Sequence, residues 1–107
     1  MAYKVLGQSA PAATTDTNVY TVPAATETVI STIVIANRAA TAGSFRLAVR
    51  PNGATIANQH YLAYDVPIAA SDSTTLTLGI TLDATDVVTF YASSANMSIN
   101  VFGTEIV

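Results

Sequence analysis

The sequence predicts an all-β domain: an antiparallel β-sandwich, of jelly-roll or immunoglobulin-like topology, with about eight short strands. Three observations point there. Half of the 107 residues are apolar, and they gather in short β-branched runs. Turn signals separate those runs at intervals of roughly 8–12 residues. No segment carries the 3.6-residue apolar period of an amphipathic helix. A chain of 107 residues without repeat or linker is one domain, long enough to bury a core without disulfides or metals.

Taken in order, Tyr3 to Gly7 reads as a short first strand. Residues 8–16 are small and polar with one proline, Pro11, and no period, so they read as an extended arm or loop. Asn18 to Val22 is a strand stopped by Pro23, which has no N–H to give a ladder. Thr28 to Asn37 is the strongest strand. Val29, Ile33 and Ile35 alternate with Ile30, Val34 and Ala36, so it reads as a central strand covered on both faces. Residues 38–43 turn. In Ser44 to Arg50, Phe45, Leu47 and Val49 alternate with Arg46, Ala48 and Arg50.

Pro51-Asn52-Gly53 opens a loop that runs to about Gln59. Tyr61 to Ile68 is a strand with Leu62, Tyr64, Val66 and Ile68 on one face. Ala69 to Asp72 turns, and Thr74, Leu76, Leu78 and Ile80 form the next inward face. Asp83 to Asp86 turns again. Val87 to Ala92 and Met97 to Glu105 close the domain, joined by residues 93–96. The expected core is Ile33, Ile35, Phe45, Leu47, Leu76, Leu78, Val88, Phe90, Ile99 and Val101.

Composition excludes more than it selects. Charged residues make up 10% of the chain, against roughly 25% in an ordinary soluble domain. Thr, Ser, Ala and Asn stand where Lys and Glu usually keep monomers apart. A hydroxyl surface is cheaper to desolvate than an ionic one, so this one suits an assembly. The net charge of -3 argues against a nucleic-acid partner, whose phosphates need a basic stripe. No apolar run approaches the ~20 residues of a membrane span. No apolar signal segment follows Met1-Ala2-Tyr3-Lys4.

Candidate chemistry is sparse. His60 is the one imidazole and there is no cysteine, so no ligand set for a metal or cofactor is expected. Asp83 with Asp86, and Asp72, read as turn residues rather than calcium ligands. A carboxylate pair such as Asp65 with Glu105 is the one glycosidase arrangement to consider, and no motif supports it. The expectation is a protein that is not an enzyme. Arg46 and Arg50 share one polar strand face and suit pairing with carboxylates. Tyr20, Tyr61, Tyr64 and Tyr91 are dispersed along the chain. Exposed tyrosines suit a sugar platform or a protein interface. Arg46, Arg50, His60 and Tyr61, on or beside polar strand faces next to the 51–59 loop, are the candidate contact residues.

Several segments together carry a family likeness: Tyr3-Lys4-Val5-Leu6-Gly7-Gln8, Tyr20-Thr21-Val22-Pro23-Ala24, Ile33-Val34-Ile35-Ala36-Asn37-Arg38, His60-Tyr61-Leu62-Ala63-Tyr64-Asp65, Leu76 to Leu82, and Phe102-Gly103-Thr104-Glu105-Ile106. In this order they resemble small virion structural proteins of tailed bacteriophages, including cyanophages. The resemblance implies a capsid decoration (cement) protein on the outer surface of the head. It equally admits a tail, baseplate or fibre component with a receptor- or carbohydrate-binding role. It implies assembly in the bacterial cytoplasm, residence in the virion, a homo-oligomer such as a trimer, and the major capsid protein or other virion proteins as partners. It brings no catalytic residues and no cofactor.

Overall fold

The computed structural model describes residues 2–77 and 79–107, and is all-β with antiparallel pairing throughout. Among those residues nine strands form: β1 (Tyr3–Ser9), β2 (Thr17–Thr21), β3 (Glu27–Asn37), β4 (Gly43–Arg50), β5 (Tyr61–Ile68), β6 (Ser73–Leu76), β7 (Ile80–Leu82), β8 (Val87–Ala92) and β9 (Met97–Ile106). One sheet has the order β1-β9-β3-β6, with β7 also on β3; the other has the order β2-β8-β4-β5. β6 and β7 pair with successive stretches of β3, Ile33↔Leu76 and Ile30↔Ile80, so together they act as one interrupted strand. The pairing is then nested: first strand with last, second with next to last, third with sixth, fourth with fifth. This is a long hairpin rolled into two sheets, the jelly-roll order that strand count alone left open.

The core lies between the sheets. Ile33, Ile35, Phe45, Leu47, Val88, Phe90, Ile99 and Val101 are all buried, as the alternation predicts, and Phe45 meets Phe90 with ring centroids 6.1 Å apart. Leu76 is half-buried against this cluster. Leu78 lies outside the described residues. Ile30, Val22, Met97 and Ile68 complete the packing. Tyr20 fills the inner face of β2, and its hydroxyl crosses the sandwich to Thr28 Oγ1 (2.8 Å) and Glu105 Oε2 (2.6 Å). Lys4 closes this network from β1 by an ion pair with Glu105.

β3 is central, but it is covered on one face only. Its ladder with β9 slips between Ile30 and Thr32. The extra residue of that bulge restores Ile30 to the inner face with Ile33 and Ile35, and leaves Val29, Val34 and Ala36 half-buried on the outer face. The prediction of Ile30 opposite Ile33 and of a doubly covered strand fails for this reason. The Tyr61–Ile68 alternation fails similarly, because two register shifts interrupt β5. Ala63 and Val66 pack on the core and Ile68 is buried, while Leu62 and Tyr64 remain exposed.

Of the two readings of 8–16, an extended arm or a loop, residues 10–16 take the form of a loop held against the sandwich. Gln8 and Ser9 belong to β1 and pair with Asn100 and Ile99. Beyond them Pro11 is buried, and the Thr14 N–H donates to the Ala92 carbonyl (2.8 Å). β1 also passes so close to β2 that a Cβ on Gly7 would stand 2.4 Å from the Val19 carbonyl oxygen.

Candidate functional site

Each sheet turns one face to the core and one outward, and the two outward faces differ in chemistry. On the β2-β8-β4-β5 sheet, Arg46, Ala48 and Arg50 of β4 and Val87, Thr89 and Tyr91 of β8 point outward. Half of this face is covered: Ala48, Val87 and Thr89 are buried there. The cover is the 51–59 loop, whose two short 3-10 turns, Pro51–Gly53 and Asn58–His60, lie against β8 and β4.

Two predicted contact residues build that cover. Arg50 clamps the loop: Nε donates to Thr89 Oγ1 (3.0 Å), Nη1 to the carbonyls of Gly53 (3.2 Å) and Ala54 (2.9 Å), and Nη2 to Asn18 Oδ1 (2.8 Å). Within the chain it pairs with no carboxylate among the described residues. His60 closes the second turn, its Nδ1 accepting the Ala57 N–H (3.0 Å) while its own N–H donates to the Ala57 carbonyl (3.0 Å). A hollow of about 330 Å³ lies beside the clamp, lined by Asp16, Asn18, Arg50, Thr55, Ile56 and Thr89. Its cation is already engaged by the loop.

The uncovered half of the face holds the other two predicted residues, and more. Arg46 stands directly across the ladder from Tyr91. On its other side β5 bulges: Phe45 pairs with Val66 and Leu47 with Ala63, so Tyr64 and Asp65 together oppose Arg46. Asp65 takes φ 51°, a left-handed conformation that Asp tolerates better than most residues. The consequence is a compact cluster. The guanidinium lies 4.2 Å from the Tyr64 ring centroid and 4.3 Å from that of Tyr91. Its Nε donates to Asp65 Oδ1 at 2.7 Å, which holds the Arg46 pKa above its ordinary value. Tyr61 meets Tyr64 edge to face, centroids 4.9 Å apart at 88°. Two tyrosines that look dispersed in the sequence, Tyr64 and Tyr91, therefore meet Arg46, and Tyr61 joins them through Tyr64, whereas Tyr20 sits apart in the core. The signal was the bulge, which no local pattern announces.

The outward face of the other sheet is different. Its rows read Tyr3, Thr104, Val29, Thr81; Val5, Phe102, Thr32; Gln8, Asn100, Val34, Thr75; and Ser98, Ala36, Ser73. Among the described residues these rows carry no charge; Glu27, opposite Ile106, stands beyond them at one end, and Arg38, two residues past Ala36, at the other. Tyr3 (83% exposed) and Val5 (49%) leave apolar surface in water there.

The carboxylates with hydrogen bonds or ion pairs among the described residues serve separate parts of the fold. Asp65 serves the outer cluster, and Glu105 serves Tyr20 and Lys4 on the other sheet. Asp83 and Asp86 bind backbone: Asp83 Oδ1 accepts from Ala84, and Asp86 accepts from Asp83 and from Asn52. Asp72 accepts from Ser73. Among the described residues no three His, Cys, Asp or Glu side chains gather to hold a metal. No family model, curated protein or solved structure matches the chain.

Proposed function

We propose that this protein is a structural component of a phage particle, a decoration protein that binds the outside of the head as a homotrimer and carries out no catalysis. The observation that supports it best is the run of outward rows on the β1-β9-β3-β6 sheet that, among the described residues, carry no charge between Glu27 and Arg38. Docking that face onto the major capsid protein or a second copy desolvates hydroxyls, amides and aliphatic groups, and no row of ions. Jelly rolls are frequent in capsid and lectin domains, although fold alone assigns no role. The threefold number is by analogy with sites where three capsomers meet. The segment resemblance supports the particle, and the exposed face supports attachment.

Cryo-electron microscopy of the intact particle tests the position, and light scattering of the purified chain tests the oligomer. Val34→Glu places a charge in the middle of the docking face. The expected result is a folded variant that no longer oligomerises or binds heads. A wild-type monomer at tens of micromolar, seen only at the tail tip, refutes the decoration role.

A further inference from the structure

We infer that the uncovered half of the other outer face, built by Arg46, Tyr61, Tyr64, Asp65 and Tyr91, is a binding platform for a neutral hexopyranose. It lies on the opposite sheet from the docking face and stands whether or not that face attaches to a head.

The chemistry of the cluster selects the ligand. Tyr64 stays 55% exposed despite its contacts with Arg46 and Tyr61, so its ring presents apolar surface to solvent. The C–H face of a pyranose covers such a ring well. Polar groups surround it. Only Nε of Arg46 is hydrogen-bonded among the described residues, leaving both Nη groups as donors. Asp65 binds through Oδ1, leaving Oδ2 as an acceptor on a side chain that is half exposed. None of the three phenolic hydroxyls has a partner among the described residues. Adjacent donors and an acceptor beside an exposed ring match the vicinal hydroxyls of a sugar.

Charge excludes the acidic alternatives. The guanidinium is already matched by Asp65 at 2.7 Å, and the chain carries -3 overall. A phosphate or a sialic acid would find no unbalanced cation here. The platform is also held in place. Arg46 is fixed by one carboxylate and two rings, and Asp65 by its bulge, so few side-chain rotations are lost on binding.

The test is saturation-transfer NMR with tetrasaccharides of glucose, galactose and mannose, and with free N-acetylneuraminic acid as the acidic control. Transfer to at least one neutral sugar, at millimolar affinity and absent for N-acetylneuraminic acid, is expected. Tyr64→Ala should weaken that binding at least tenfold with an unchanged melting temperature, whereas Tyr64→Phe should keep most of it. Absence of transfer from every neutral sugar overturns the inference, as does binding indifferent to Tyr64→Ala. Loss of particle attachment in Tyr64→Ala without any sugar binding reassigns the patch to a protein contact.

Discussion

Gly103 offers a perturbation whose sign is decided by space alone. Its φ lies outside the left-handed region, so alanine fits the backbone there. In open space Gly→Ala would stabilise by about 0.4–1 kcal/mol, through the unfolded chain's lost freedom. The space is closed. A Cβ on Gly103 would stand 2.1 Å from the Val29 carbonyl oxygen and 2.9 Å from the Ile30 Cα. Both are backbone atoms of β3, at the bulge that returns Ile30 to the core, and neither can rotate away. Relief requires β3 and β9 to separate by roughly 1 Å, which breaks ladder hydrogen bonds worth about 0.5–1.5 kcal/mol each. Overpacking penalties of about 1–3 kcal/mol act in the same direction. Gly103→Ala is therefore expected to lose about 2–3 kcal/mol net, a fall of roughly 10–20 °C in Tm for a chain of this size. Thermal melting followed by circular dichroism, with urea titration at 25 °C, measures it. A variant as stable as the parent, or more stable, would show that the β3–β9 approach is not closed and that the bulge does not lock Ile30 inward.

Ile33→Ala should cost about 2–5 kcal/mol, read from the urea midpoint, because the side chain is fully enclosed between sheets. Arg50→Ala removes the clamp on the 51–59 loop. Limited proteolysis should then cut within 51–59 while the sandwich stays folded, and an uncut loop would argue that the clamp is dispensable. Burial, reinforced by Glu105, pushes the Tyr20 pKa up to about 12 from an ordinary 10.0, so the folded state favours the neutral phenol. Its contribution to stability is complete below pH 10.0 and fades as pH rises towards about 12. Glu105 lies below its ordinary 4.5, held there first by Lys4 and then by Tyr20. Its contribution is complete above that value and is lost on acidification through the lowered one. Denaturation midpoints across both windows should flatten in Tyr20→Phe at the alkaline end and in Glu105→Gln at the acid end.

What the sequence reveals of this molecule is set by period. β4 and β8 run without interruption, and the alternation of Phe45 with Arg46 and of Phe90 with Tyr91 assigns every face correctly. β3 and β5 defeat the same rule, because each bulge shifts the remainder of its strand by one residue. The shift in β3 is fixed by its partner β9, which lies some seventy residues further along and leaves no local mark. The candidate site suffers from the same cause. The sequence names Arg46 and Tyr61 from their place on or beside polar strand faces, whereas Tyr64 and Asp65 join Arg46 because β5 bulges opposite it. Arg50 and His60 lie on or beside the same sheet but turn to the 51–59 loop. Their donors and acceptors serve the adjacent loop, and an outward strand position does not distinguish a clamp from a free cation.

The nested order of strands also sets a timetable for synthesis. β1 is translated first, yet its ladder partner is β9, and β2 likewise waits for β8. At about 5–20 residues per second, the first strand emerges from the ribosome roughly 5–20 s before the segment it pairs with. During that interval the apolar inner faces of β2, β3 and β4 have no complete second sheet to cover them. Pairings this distant in sequence also put the folding step itself in the slow range of β topologies, milliseconds to seconds. The β1-β9-β3-β6 sheet therefore cannot be fully paired until β9 has been translated.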